Sequence, residues 1–180
     1  MIQFSRVWAM PNRYTFDIPP IAQFVRGYLA KSTVSIDPFS GNKRWATYTN
    51  DLNPESPAQW HNEAIDFLRI LAEQGVKADL LIFDPPYSPR QVKECYDGLG
   101  RKMQQDDAQG GRVRALWREA AAPLMEEGAV VLSFGWNTVG FGTNAGFDIE
   151  EIMLVCHGSD HNDTICMAER KRPTDATLFE

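Results

Sequence analysis

The chain has 180 residues, 43% of them apolar, and a formal net charge of −6. That is enough apolar material for one globular domain with a sizeable core, and no run nears the roughly 18 consecutive apolar residues of a membrane span. The start Met1-Ile2-Gln3-Phe4 lacks a charged-then-apolar export signal, and Cys95, Cys156 and Cys166 are an odd set without metal-ligand spacing, so a cytoplasmic, reducing setting without a bound metal is expected.

In chain order, the first distinctive segment is a proline-rich arm, Trp8-Ala9-Met10-Pro11-Asn12-Arg13-Tyr14-Thr15-Phe16, followed by Ile18-Pro19-Pro20-Ile21. Val34 to Asp37 reads as a strand that runs into Asp37-Pro38-Phe39-Ser40-Gly41. Gly41 permits close backbone approach to a ligand at the carboxyl end of a parallel strand, and Phe39 offers a face that attracts a cationic sulfonium centre. Thr47 to Asn50 reads as a second short strand and Gln59 to Glu73 as an amphipathic helix, with Ala64, Ile65, Phe67, Leu68 and Leu71 on or beside one face. Ala78 to Phe83 is a near-continuous apolar run, the pattern of a strand buried on both faces. A helical stretch is expected from Pro89 to Glu127 with an interruption near Gly110-Gly111, then a strand from Ala129 to Phe134. A hairpin of Ile149 to Cys156 and Thr164 to Glu169 across Gly158 to Asp163 closes the pattern.

The apolar run Ala78 to Phe83 delivers Asp84-Pro85-Pro86-Tyr87, a tetrad suited to methylating an exocyclic amine. The lone pair of an aromatic amine is delocalised into its ring, so the amine needs acceptors aimed at its hydrogens. The Asp84 carboxylate takes one and the Pro85 carbonyl the other, which localises the lone pair toward an electrophile. Pro85 and Pro86 fix their own φ and push the preceding residues toward extended conformations, so the acceptors are pre-aimed. Tyr87 offers a face on which a flipped-out base stacks. The alternative is a turn after a buried strand, with Asp84 capping the next helix.

The Asp-Pro-Phe-x-Gly element and the Asp-Pro-Pro-Tyr tetrad, in this order, resemble those of the S-adenosylmethionine-dependent amino methyltransferases of DNA. With the N-terminal arm included, the chain resembles the short N6-adenine methyltransferases encoded by phages and prophages. The resemblance implies an α/β class I methyltransferase fold, with a mostly parallel, Rossmann-like sheet and a C-terminal antiparallel hairpin. It implies a single domain over residues 1–180, S-adenosylmethionine as cofactor, adenine in DNA as substrate, and the cytoplasm of a bacterial host cell as location. It makes Asp37, Pro38, Phe39 and Gly41 the cofactor loop and Asp51 the holder of the ribose hydroxyls, with a turn aspartate before Pro54 as the alternative. The arm would close over the methionine end of the cofactor through Pro11, Asn12, Thr15 and Phe16; alternatively it packs on the domain. Only Ser40 to Ala46 separate the first two strands, too few for a usual parallel crossover. The helix after the cofactor loop is therefore expected to be lost or reduced to a turn. Only one helix separates Asp51 from the strand that delivers Asp84, so the sheet is expected to be a strand short.

On the substrate side, Trp136 and Asn137 are placed to line a base pocket, although Trp136 suits a half-buried core position equally. His161, with Asn162 and Asp163, has the chemistry for polar base-edge contacts, or forms only a turn. Residues 88 to 118 hold seven basic side chains against four acidic ones, a net charge of +3 in a chain that is otherwise acidic. Arg90, Arg112 and Arg114 are thus candidate phosphate contacts, with Gly110 to Arg114 as a mobile loop; a solvated helical face of mixed charge is the alternative. There is no room for a target-recognition domain, so specificity is expected to be relaxed or supplied by a second subunit or a partner. Two other functions fit the tetrad: an RNA amino-methyltransferase of the ribosomal guanine N2 type, and a non-catalytic methylase-like binder of DNA or protein.

Overall fold

The computed structural model of the chain describes residues 1–86, 89–98, 110–158 and 161–173. Seven strands build one sheet: β1 (Gln3–Trp8), β2 (Ser35–Asp37), β3 (Tyr48–Thr49), β4 (Ala78–Phe83), β5 (Met125–Gly135), β6 (Phe147–Cys156) and β7 (Thr164–Lys171). Their spatial order is β1-β6-β7-β5-β4-β2-β3. All pairings are parallel except those of β7, which runs antiparallel between β5 and β6. Six strands therefore end along one edge, and the expected α/β class with its antiparallel hairpin is the fold observed.

Among the described residues the α-helices are α1 (Pro19–Leu29), α2 (Ala64–Glu73), α3 (Pro89–Gly98) and α4 (Gly110–Ala121). Pro19 and Pro20 occupy the first turn of α1, where a missing N–H leaves no bond unmade. Ile21, Phe24 and Val25 of α1 are buried with Leu80, Ile82, Val130 and Leu132 on one face of the sheet. The alternate residues Leu81, Phe83 and Val131 face the other way, onto Phe67, Leu68 and Leu71 of α2 and Ala121 of α4. β4 is buried on both sides, which is why it reads as an unbroken apolar run.

Several elements differ from the sequence expectation. α2 starts at Ala64 rather than Gln59, because Gln59 and Trp60 donate their amide N–H groups to the Thr49 carbonyl at 3.1 Å each. Trp60 also bridges Asn50 in parallel, and backbone groups tied beside β3 are not available to a helix. That bridge stands where a further strand would lie, so this edge of the sheet is a strand short. The opposite edge gains β1, a strand not expected from the sequence; it pairs with β6 from Gln3↔Glu151 to Trp8↔Cys156. Between β2 and β3 the chain makes only turns and bends. Of the helical stretch expected from Pro89 to Glu127, Pro89–Gly98 and Gly110–Ala121 are helical, and Pro123 sits in a 3-10 turn, Ala122–Leu124. Glu126 and Glu127 belong to β5, which is paired with β4 from Ala78↔Met125 onward. Gly110 opens α4, so the mobile loop expected over Gly110 to Arg114 is instead helical. No helix among the described residues is long and apolar enough to cross a membrane.

Candidate active site at the carboxyl edge of the sheet

β2 ends on Asp37, and Asn50 and Asp51 directly follow β3, its parallel neighbour. Asp37 is buried, and its Oδ1 accepts the Phe39 N–H at 3.1 Å. Burial raises its carboxyl well above the ordinary aspartate value; the Phe39 bond opposes the rise, and the charges of Asp84 and Asp51 add to it. Asp51 accepts the Gly41 N–H on Oδ2 at 2.9 Å and the Asn53 N–H on Oδ1 at 2.8 Å. Burial raises its carboxyl too, against the pull of those two bonds. Gly41 adopts φ +55°, a left-handed conformation open to glycine. Asn50 fastens the loops that carry the two aspartates: its amide donates to the carbonyls of Pro38 at 3.1 Å and Asn62 at 3.0 Å.

The N-terminal arm lies against this loop. Asp17 accepts the Asn42 Nδ2–H at 3.0 Å and pairs with Lys43. The Phe16 ring stacks on Trp45 at 5.9 Å and meets Phe134 edge-on at 5.2 Å, so Phe16 is a buried packing residue. Pro11 and Thr15 are half-buried, while Asn12 is exposed and accepts the Tyr14 N–H at 3.0 Å. Phe39 sits on the other side of the loop, edge-on to Phe83 at 5.7 Å and Trp117 at 5.0 Å.

Asp84, Pro85 and Pro86 leave the end of β4; Tyr87, expected to stack on a base, lies outside the described residues. The Asp84 charge acts on Asp37 and on the Cys166 thiol of β7, which burial above all, and Asp84 in addition, push up. Cys166 belongs to the core on the α1 side, so Asp84 lies toward that side, with Asp37. On the α4 side a cavity of about 210 Å³ opens beside Pro85, lined also by Phe83, Ser133, Asn137, Arg114, Arg118 and Gly140. Arg114 reaches back from α4 to the Pro86 carbonyl at 3.4 Å. Asp84 and Pro85 thus divide an acidic strand edge from a pocket below the roughly 300–1,000 Å³ of a whole small-molecule site, a size suited to one ring system.

The pocket wall formed by residues 136–142 hangs on groups that the sequence reading missed. Glu169 of β7 is buried, and its two oxygens accept the N–H groups of Phe141 and Gly142 at 2.8 Å each. Burial raises its carboxyl, while those bonds and Arg118 oppose the rise. Arg118 also donates to the Gly140 carbonyl at 2.8 Å. The sequence hides its role, because Glu169 opens the charged run Glu169-Arg170-Lys171 at the end of β7. Of the remaining candidates, Asn137 lines the pocket, and Trp136, Arg90, Arg112 and His161 are exposed, His161 in a turn closed by its N–H to the Gly158 carbonyl at 3.3 Å. Ser40 and Ser133 each bury a hydroxyl with no hydrogen-bond partner, one in the loop after β2 and one in the pocket wall.

No family model and no curated protein matches the chain. Solved structures do match in shape. SMU.776, solved as a methyltransferase complexed with SAH, is similar with a TM-score of 0.56 and 11% identity over 82% of this chain and 48% of its own. TrmN from Thermus thermophilus gives 0.53 with 15% identity over 88% and 50%. A SAM-dependent methyltransferase from Agrobacterium tumefaciens gives 0.51 with 9% identity over 84% and 60%. The fold is that of the class I methyltransferases. The chain spans about half the length of the first two structures.

The raised carboxyls have a consequence for stability. Asp37, Asp51 and Glu169 bind protons more tightly folded than unfolded. Their contribution is complete below the ordinary carboxylate range and is lost as pH rises through their folded values. Asp17, bonded to Lys43 and Asn42, is lowered and acts in the opposite sense. The unfolding temperature of Asp37→Asn, followed by calorimetry, is therefore expected to fall less than that of the wild type from acidic to neutral pH. Parallel curves would remove Asp37 from this account.

Proposed function

We propose that the chain transfers a methyl group from S-adenosylmethionine to the exocyclic N6 amine of adenine in DNA. The observation that carries the reading is the position of Asp84 and Pro85, with acidic strand ends on one side and a ring-sized pocket on the other. The acidic edge fits the cofactor chemically: Asp37, Asp51 and Asp84 favour a ligand bearing sulfonium and ammonium charge, and the unpartnered Ser40 hydroxyl adds a polar contact. When bound, S-adenosylmethionine would supply an electrophilic methyl group, its bond from sulfur to the methyl carbon breaking to leave a neutral thioether.

The chain's own residues do the rest. Gly41 and Asn53 hold the Asp51 carboxylate in place to receive the ribose hydroxyls. Pro11 and Thr15 of the arm, fixed through Asp17, border the methionine end, with Pro38, Phe39 and Gly41 beneath it. The pocket beside Pro85 receives the flipped base, and Asn137 and Ser133 offer polar groups to its ring edge. Asp84 and the Pro85 carbonyl accept the two amino hydrogens, the nitrogen lone pair forms the new bond to carbon, and Asp84 takes the proton that leaves the methylated amine.

Mass spectrometry of nucleosides from a methylase-deficient host expressing the chain tests the reading. N6-methyladenine in DNA is expected; methylated guanine in RNA with unmodified DNA would move the assignment to RNA. A second expectation concerns the cofactor: Asp51→Ala should weaken S-adenosylmethionine binding, measured by titration calorimetry, by roughly tenfold, as charge-assisted hydrogen bonds are lost, and slow the bound complex much less. An unchanged dissociation constant would return Asp51 to a turn role.

A further inference from the structure

Beside β1 the sheet has a face that no helix covers among the described residues. Val7 packs with Met153, Val155 and the α1 residues, so the odd-numbered residues of β1 face α1. By the two-residue period of a strand the even-numbered ones face the opposite side. These are Phe4, Arg6 and Trp8, an aromatic–basic–aromatic row with Phe4 and Trp8 each 65% exposed and Arg6 exposed between them. Their neighbours on β6, Ile152 and Leu154, are only half-buried.

The same side of the sheet carries the pocket beside Pro85, because Phe83 and Ser133 alternate onto it. Between pocket and row lie β6, β7 and the 136–142 loop, with Trp136 45% and Val139 64% exposed. From β5 across β7 and β6 to β1 is three strand intervals, about 14 Å.

We propose that the Phe4–Arg6–Trp8 face binds single-stranded nucleic acid, stacking bases that flank the one in the pocket and so supplying contact area that other methylases place in a recognition domain. The inference rests on the nucleic-acid substrate proposed above. Two arguments select this occupant over a second copy of the chain. Interleaved rings and a cation suit a polyanion with stackable bases. The row also lies on the same face of the sheet as the pocket where one base is held, three strand intervals away, so a strand that leaves the pocket along this face reaches it. Two copies placed face to face with the row in register would instead set Arg6 against Arg6.

The test is fluorescence-anisotropy titration of a labelled single-stranded oligodeoxynucleotide longer than the span from pocket to row, without cofactor. Phe4→Ala and Trp8→Ala should each raise the dissociation constant about tenfold, with Trp8→Phe restoring most of the loss. Arg6→Gln should flatten the salt dependence by about one unit of slope. Methyl transfer to a dinucleotide, too short to reach β1, should be unchanged in all of them. Dissociation constants that do not move would overturn the proposal. So would sedimentation of the wild type as a dimer that Trp8→Ala splits, which would put a second copy on the face. Tight, Trp8-dependent binding of the long strand without methylation of any nucleic acid would support the platform and sink the proposed reaction alone.

Discussion

Replacing Asp84 with Ala is expected to lower the rate of methyl transfer in single-turnover experiments by about 10²–10³-fold, the usual loss when one pre-aimed transition-state partner is removed. Cofactor affinity should change far less. The amine needs both of its hydrogens engaged before its lone pair is free to attack, and the Pro85 carbonyl alone engages one. Asp84→Asn is the sharper variant: it keeps an acceptor oxygen and nearly the same shape, but offers N–H groups where the amine already donates, and it cannot take the departing proton. Both variants also remove a charge that raises Asp37, so the Asp37 carboxyl should ionise at lower pH. Turnover of either variant near that of the wild type would mean that the tetrad only turns the chain.

The parts of this edge that the sequence revealed are those whose chemistry is local. Asp37-Pro38-Phe39-Ser40-Gly41 and Asp84-Pro85-Pro86 each follow a short apolar strand, and a parallel sheet brings such strand ends to one edge without further instruction. The loss of the helix between β2 and β3 followed from simple chain length. What stayed hidden depends on long-range partners. Trp60 looks like the first turn of a helix until Thr49 and Asn50 are beside it. β1 is too short to be distinguished from an arm, because it gains its ladder from β6, which lies more than a hundred residues away. Phe16 has the composition of a ligand contact and the surroundings of a core residue, and only Trp45 and Phe134 decide between them.

The Glu169 carboxylate and Gly140 show how much of the pocket depends on such partners, and they give the largest stability effect expected. Gly140 has φ +47°, and a Cβ there would stand 2.1 Å from Glu169 Oε2 and 2.3 Å from Met167 Cε. The Met167 methyl is the free end of a flexible side chain and can move. The carboxylate cannot move without leaving the Phe141 and Gly142 N–H groups. Gly140→Ala therefore combines left-handed strain of about 1–2 kcal/mol with the weakening of charge-assisted bonds typically worth about 1.5–3 kcal/mol. A loss of roughly 3–5 kcal/mol corresponds to a fall in unfolding temperature on the order of 6–20 °C for a domain of this size. Glu169→Gln keeps the volume and one acceptor oxygen and should cost less, while Glu169→Ala leaves two N–H groups unpaired and should approach the Gly140→Ala value. Because Asn137, Val139 and Gly140 all line the pocket beside Pro85, the surviving folded Gly140→Ala protein should also methylate poorly at temperatures well below its transition. A variant that melts within about 2 °C of the wild type would show that the loop is held by other contacts and that the buried carboxylate does not set the shape of the pocket.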